Sequence, residues 1–136
     1  MARHQGGGRY GVPEPLEPAI NATGTEQCPF VSPDERYLVF VRGTSSSPTK
    51  TDLYVSFRNA DGAWTPGIDM GVPVNSPTHD LAPYVTPDGK YLFFTSQRDR
   101  MNGMHWVDAG VIEEARANGA TRPPSPRCPP GLWRDR

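Results

Sequence analysis

The sequence predicts an all-β fold built from short antiparallel strands, and three observations lead to this prediction. The 136 residues include 16 Pro and 14 Gly, and many of these mark turns between short apolar runs. The apolar runs are rich in aromatic and β-branched residues, which strands favour. A stretch of sequence also recurs at a fixed spacing of 54 residues, and a period of about this length is typical of repeat architectures.

The repeat is the most specific of these observations. Residues 28–42 (CPFVSPDERYLVFVR) lie 54 positions before residues 82–96 (APYVTPDGKYLFFTS). Eight of the 23 positions from 20 to 42 are identical in the second copy, without a gap. The identical residues of the first copy are Asn21, Pro29, Val31, Pro33, Asp34, Tyr37, Leu38 and Phe40. The register continues backwards through the pairs Gly8 and Gly62, Tyr10 and Trp64, and Leu16 and Met70.

Each copy predicts two strands joined by a tight turn. The turns fall at residues 32–35 and 86–89, where Pro presets φ, Asp bonds its own backbone and Gly89 accepts a positive φ. They lead into residues 37–41 and 91–95, which are apolar almost throughout. Such continuous apolar runs predict strands that are covered on both faces.

Two further strands complete the predicted repeat. Residues 52–57 supply the third strand, and residues 64–70 supply the fourth after a turn at Asp61-Gly62, with Trp64 packed between neighbouring sheets. Four short antiparallel strands per repeat is the unit of a β-propeller blade. The sequence therefore predicts a partial β-propeller.

The repeat also predicts how the chain is divided. Residues 1–27 form the end of a preceding blade and residues 28–81 a complete blade. Residues 82–119 form an incomplete blade with a short helix over 111–118, which Gly119 caps. Residues 120–136 form a disordered tail, because their prolines remove backbone donors and their arginines repel one another.

Composition and charge exclude several classes of function. A formal net charge of −1 provides no broad basic field, so we expect no nucleic-acid partner. No stretch approaches the roughly 20 apolar residues of a membrane-spanning helix, and the N-terminus lacks the apolar core of a signal peptide. As given, the chain is predicted to be cytoplasmic, although the parent protein of such a fragment would also fit the periplasm or secretion.

The two cysteines, Cys28 and Cys128, are too few for a disulfide framework. We expect Cys28 to be a small buried residue, because free cysteine is among the most buried residue types. The histidines at 4, 79 and 105 share no ligand spacing, so no metal and no cofactor is predicted. No Gly-x-Ser-x-Gly motif occurs, and no catalytic residue is assigned.

The candidate ligand-binding residues are His79, Asp80 and Arg98. His79 and Asp80 precede the first strand of the second copy, and in a propeller such entry loops lie near the mouth of the channel. A solvated loop pair is the alternative interpretation of these two residues. Asp52 and Arg98 are also explained by polar contacts within a blade.

Several stretches of this sequence resemble the TolB-like, WD-repeat-like β-propeller family. Its blade signature runs Ser-Pro-Asp-Gly-Lys-x-Leu-x-Phe-x-Ser, followed after a polar loop by Asp-Ile-Tyr. The first copy matches at residues 32–34, 37–40 and 52–54, and the second matches at residues 86–90 and 94–96. Two departures are Glu35, which replaces the turn glycine, and Gly103-Met104-His105, which stands where Asp-Ile-Tyr belongs.

The resemblance implies a propeller of about six blades that acts as a binding platform. We therefore predict a non-enzymatic propeller fragment whose parent binds a protein, peptide or glycan through its channel face or blade loops. The alternative is the propeller domain of a hydrolase or peptidase whose catalytic domain lies elsewhere in the parent protein. Fewer than three blades cannot close a ring, so either the chain is truncated, which we favour, or several copies self-associate. In isolation we expect aggregation or partial order.

Overall fold

The structure, a computed structural model, describes residues 6–22, 24–44 and 47–121. These residues form two antiparallel sheets, one of four strands in the order β1-β2-β3-β4 and one of three strands in the order β5-β6-β7. The elements are β1 (Thr25–Val31), β2 (Tyr37–Thr44), β3 (Ser47–Phe57), β4 (Ile68–Asp69), β5 (Asp80–Val85), β6 (Tyr91–Ser96), β7 (Gly103–Asp108) and α1 (Gly110–Thr121). The prediction of a mostly β fold is confirmed.

The first strand of each sheet carries the same β-bulge. The pairing of β1 with β2 shifts after Gln27, and the pairing of β5 with β6 shifts after Leu81, 54 residues later. Cys28 and Ala82 follow these positions with φ values of 51° and 54°, and each precedes a proline. The prediction that Cys28 is buried is wrong, because the bulge on this edge strand leaves its side chain exposed.

The turns between the first and second strands are also alike. The Ser32 hydroxyl donates to the Asp34 carboxylate at 2.7 Å and accepts from the Tyr37 backbone N–H at 3.1 Å. In the second copy, the Thr86 hydroxyl donates to the Asp88 carboxylate at 2.6 Å. The serine or threonine hydroxyl therefore joins both ends of the turns that the sequence predicts at residues 32–35 and 86–89.

The fourth and last turn residue has a positive φ in both copies. Gly89 has a φ of 72°, which costs a glycine little. Glu35 has a φ of 57°, and a left-handed conformation costs an L-residue about 1 kcal/mol. Glu35 forms an exposed ion pair with Arg58, a contact that stabilises by at most about 1 kcal/mol and so offsets this strain in part.

The main hydrophobic core lies between the two sheets. One face of the first sheet packs there against one face of the second sheet, and strand β5 contacts β1, β2 and β3. Val39 and Val55 of the first sheet and Leu92 of the second are fully buried in this core. Because Tyr91 of β6 is exposed, the prediction that the second-copy strand is covered on both faces is wrong within this chain.

A smaller core covers the opposite face of the first sheet. It consists of Ile20, Leu38, Phe40 and Trp64, with Leu16 packed against them. Trp64 therefore packs between the first sheet and the segment that holds Leu16 and Ile20, on the side away from the second sheet. The predicted Asp61-Gly62 turn is present, and it brings Trp64 into a β-bridge with Arg58.

The third strands are equivalent at a slightly shorter spacing. Val41 pairs with Leu53, and Thr95, its repeat equivalent, pairs with Met104. Leu53 and Met104 are therefore equivalent at a spacing of 51 residues. The Gly103-Met104-His105 segment does form the third strand of the second sheet.

Among the described residues, the second sheet has no fourth strand, and the chain continues from β7 into α1. Ile112 and Ala115 of α1 are buried in the main core. Gly119 lies inside the helix, which continues to Thr121, so the prediction that it caps the helix is wrong. A Cβ at this position would come within 2.6 Å of Ile68 Cδ1. The glycine thus allows α1 to approach β4 closely.

The helix also extends to Ala120 and Thr121, which the prediction had placed in the tail. The rest of that predicted tail, including Cys128, lies outside the described residues. None of the helices in the described ranges is long and apolar enough to cross a membrane.

Candidate binding surfaces

Asp80, a predicted ligand-binding residue, is fully buried at the start of β5. Its carboxylate accepts hydrogen bonds from the Ser76 backbone N–H at 2.6 Å and from the Ser76 hydroxyl at 2.8 Å. It also forms an ion pair with Arg98 at 3.4 Å. Buried charges are stable in proteins when they are paired and hydrogen-bonded in this way, so the carboxylate stabilises the loop before β5.

Arg98 lies next to Asp80 and joins the loop before β5 to the end of β6. Its guanidinium group donates to the Val74 carbonyl at 2.5 Å and, through Nε, to the Ser96 hydroxyl at 2.8 Å. The same group lies 5.3 Å from the centre of the Phe94 ring, within cation–π range. These contacts match the predicted alternative, in which Arg98 makes polar contacts within one blade-like unit.

His79 lies where the two sheets meet. Its Nδ1 atom is 3.1 Å from the hydroxyl of Thr51 in β3, and that hydroxyl also donates to the Asp80 carbonyl at 3.1 Å. The structure thus brings His79, Asp80 and Arg98 into one cluster whose polar groups contact other residues of the chain. Ligand binding by these three residues stays a prediction.

The first copy contains the same cluster in a different sequence register. Arg42 forms an ion pair with Glu26 at 2.9 Å and donates to the Ile20 carbonyl at 2.8 Å. It also lies 5.2 Å from the centre of the Phe40 ring. Although the alignment pairs Arg42 with Ser96, its contacts are equivalent to those of Arg98. Two occurrences of one arrangement indicate a structural role.

Asp52 differs from these carboxylates because it lacks full compensation. Its Oδ1 atom is buried without a hydrogen-bond partner in the described part of the chain, while Oδ2 pairs with Lys50 at 3.3 Å. Burial raises the pKa of the Asp52 carboxyl, and the charges of Asp69 and Asp80 raise it further against the opposing effect of Lys50. Within the described ranges, no group of three or more His, Cys, Asp or Glu residues is arranged to hold a metal ion.

Asp34 and Asp88 should make the stability of the chain fall at low pH. The pKa of each carboxyl lies below its ordinary value of 3.8, first because the hydroxyl of Ser32 or Thr86 donates to it. A lowered folded-state pKa stabilises the protein above the unfolded-state value, and this contribution is lost as the pH falls from 3.8 through the folded-state pKa. In urea titrations, we expect the free energy of unfolding to decline less steeply below pH 3.8 in an Asp34→Asn/Asp88→Asn variant than in the wild type.

The opposite sign is expected at Asp52. Its raised pKa means that protonation at low pH favours the folded state, so Asp52→Asn should make the decline of the unfolding free energy at low pH steeper.

Equal slopes in the wild type and the Asp34→Asn/Asp88→Asn variant would contradict the role given to the two turn carboxylates.

The second sheet exposes an apolar face on the side away from the first sheet. We call it the open face, and it consists of Tyr84, Tyr91, Phe93, Met104 and Trp106. At its edge, the Tyr84 ring also contacts the Phe30 ring of β1 edge to face, with ring centroids 5.7 Å apart. Tyr84, Phe93 and Trp106 pair across β5, β6 and β7 and so form one row. The exposed fraction is 50% for Tyr84, 63% for Trp106 and 77% for Met104. A shallow groove of about 380 Å³ lies between Tyr84, Phe93 and Met104.

The equivalent face of the first sheet is covered. By strand register, Val39 is equivalent to Phe93, Val55 to Trp106, and Leu53 to Met104. Val39, Val55 and Leu53 are 0% exposed, because the second sheet packs on them. The open face is therefore the surface that a following sheet would cover.

Sequence reasoning did not select the open face as a candidate site. The sequence difference at this position is Phe93, which stands where the first copy has the smaller Val39. This signal becomes readable only when the side of the sheet that meets its neighbour is known.

A scan against protein-family models and a search of curated proteins find no match to this chain.

Proposed function

We propose that the chain is a non-enzymatic protein-binding module, built from two β-propeller blades, that binds its partner through the open face. The observation that carries this proposal is the row of Tyr84, Phe93 and Trp106, flanked by Met104. Contiguous exposed apolar surface marks interaction sites in soluble proteins. Tyr, Trp and Met are also enriched at protein interfaces.

The blade interpretation is supported by the repetition of detail in the two sheets. The bulge, the Ser/Thr-Pro-Asp turn and the arginine–carboxylate–phenylalanine cluster all occur twice. The second sheet also packs on the first face to face, as neighbouring blades do. A platform of this kind, as in the family that the sequence resembles, presents its binding surface without catalytic groups.

A peptide selection tests this proposal. A phage-displayed library of random peptides is selected on the immobilised chain, and each enriched peptide is then tested on variants. We expect Trp106→Glu to weaken binding by roughly tenfold or more, because aromatic residues dominate interface energies. Glu114→Gln, on the exposed side of α1, is the control and should bind like the wild type. Peptides that bind Trp106→Glu as tightly as the wild type would contradict the proposal.

A further inference from the structure

We propose that the partner of the open face is a second copy of this chain, which packs head to tail and supplies residues 10–21 as a fourth strand beside β7, a strand that the second sheet lacks among the described residues. This inference rests on the proposed function, because it names the partner of the same face. Its two halves are an acceptor surface on the second sheet and a donor segment before the first sheet.

The acceptor surface is incomplete on two sides. The open face lacks the cover that its equivalent in the first sheet receives, as Trp106 is 63% exposed and Val55 is 0% exposed. In the described part of the chain, β7 pairs only with β6, so it is an edge strand. In the first sheet, β4 pairs with the same edge of β3, with Ile68 opposite Val55.

The donor segment is the repeat equivalent of that pairing strand. Residues 10–16 correspond to residues 64–70, which contain β4. The donor segment is largely exposed, with Val12 83% and Tyr10 69% exposed. Leu16 and Ile20 hold it against the face of the first sheet that points away from the second sheet. It therefore cannot reach β7 of its own copy, but it is placed to reach β7 of another.

Backbone donors remain at two positions that flank the two-residue ladder of β4, and at Glu14, the repeat equivalent of Ile68 within that ladder. Within the first sheet, the Thr65 N–H donates to the Phe57 carbonyl and the Met70 N–H donates to the Leu53 carbonyl. The repeat equivalents of Thr65 and Met70 are Gly11 and Leu16, and both carry an N–H. The donor segment contains three prolines. Pro13 and Pro15 fall between Gly11 and Leu16, with Pro15 at the repeat position of Asp69 in β4, and Pro18 follows them. Prolines on an edge strand are tolerated where no donor is required.

A pair of asparagines fixes the register of the contact. The Asn75 side chain accepts from the Leu53 N–H at 2.8 Å and donates to the Leu53 carbonyl at 2.9 Å, so it continues the pairing along β3. Its repeat equivalent, Asn21, is exposed and donates to the Leu16 carbonyl at 2.9 Å. In the head-to-tail contact, the Asn21 carboxamide of one copy meets the backbone of Met104 in the other, because Met104 is equivalent to Leu53.

The donor side also has an uncovered apolar residue at the expected place. Val85 in β5 pairs with Leu92 and is 3% exposed, since the first sheet covers it. Val31, its equivalent in β1, pairs with Leu38 and is 40% exposed. The open face of a second copy would cover Val31 as the first sheet covers Val85. Propellers have about four to eight blades, so a closed ring would contain about two to four copies of this two-sheet chain.

Sedimentation of the full chain tests the proposal directly. The mass is measured by analytical ultracentrifugation over about a hundredfold range of concentration, because association is governed by mass action. We expect the wild type to form closed oligomers of about two to four copies. A wild type that is monomeric throughout would overturn the proposal.

Two variants separate the two ends of the contact. Trp106→Glu places a charge on the acceptor surface. Asn21→Asp changes the donor segment without changing the size of the side chain, and the aspartate carboxylate can no longer donate a hydrogen bond to the Met104 carbonyl. Each should weaken self-association by roughly tenfold or more. Glu114→Gln is the control and should assemble like the wild type. Both altered residues are exposed, so circular dichroism should show unchanged folding. If both variants form the same oligomers as the wild type at the same concentrations, the proposal is overturned.

Mixing the two variants distinguishes a head-to-tail contact from a symmetric one. Trp106→Glu retains an intact donor and Asn21→Asp an intact acceptor, so an equimolar mixture should form dimers that do not grow further. Failure of the mixture to dimerise, when each variant alone is monomeric, would overturn the head-to-tail arrangement.

The outcome for self-assembly is separable from the outcome for the proposed function. If the wild type stays monomeric but the selected peptides require Trp106, the open face binds protein and the second copy is not its partner. If the peptides do not require Trp106, the proposed function fails whatever the sedimentation shows.

Discussion

An Asp80→Ala variant should lose about 3 kcal/mol of unfolding free energy, because the substitution breaks a buried ion pair and leaves its partner uncompensated. Asp80 is fully buried and accepts two short hydrogen bonds from Ser76. Its removal leaves the Ser76 N–H and hydroxyl without their acceptor and Arg98 without its counter-charge. Urea denaturation followed by circular dichroism measures the change.

The repeat provides a matched control for this substitution. Glu26 is the equivalent of Asp80 and pairs with Arg42, but 13% of its side chain remains exposed. Water can therefore replace part of its interactions, and Glu26→Ala should cost roughly 1 to 2 kcal/mol. If Asp80→Ala loses no more unfolding free energy than Glu26→Ala, burial does not determine how much this carboxylate contributes to stability.

A Leu92→Ala variant should lose about 3 kcal/mol, because it opens a cavity at the contact between the two sheets. Leu92 is 0% exposed in the main core, where it faces residues of the first sheet. A close-packed interior relaxes only in part around such a cavity, so the lost contacts are not recovered. Chemical denaturation of the wild type and the variant at one pH measures the difference.

Leu92→Met is the matched control, since it keeps the volume of the side chain and should cost less than about 1.5 kcal/mol. A second comparison is Tyr91→Ala, at the neighbouring exposed position, which should cost less than Leu92→Ala. A loss below about 1 kcal/mol for Leu92→Ala would mean that the sheets are not closely packed at this position.

The repeat made the strands and turns predictable, because local chemistry determines them. The Ser32 and Thr86 turns follow from residues adjacent in sequence, and the structure contains both. The third strand at Gly103 was harder to predict because the equivalent residues there are 51 and not 54 positions apart. A fixed-period alignment does not detect such a shift.

The arginine clusters show why contacts are less predictable than strands. Arg42 and Arg98 occupy different positions of the repeat, yet both pair with the acidic residue that begins or nearly begins the first strand. A long guanidinium side chain can reach the same place from two backbone positions. The exposure of Cys28 was missed for a related reason, because residue type indicates average burial while the bulge determines which way this side chain points.

The open face could not be found from the sequence alone because its meaning depends on the arrangement of whole sheets. Phe93 and Leu92 are neighbours of similar hydropathy, and the pattern does not say which of them faces the first sheet. Only the stacking of one sheet on another separates a covered residue from an exposed one.

The order of strands within each sheet has a consequence for cooperativity. Within each sheet, every strand pairs with the next one along the chain, so each sheet is a meander in which most connections are short. Closing such short loops costs little entropy, but a sheet with an apolar face must bury that face against another element. The contacts that join the two sheets lie mainly between β5 and the strands β1, β2 and β3. Local hairpins thus specify the shape of each sheet, while the persistence of either sheet depends on the presence of the other.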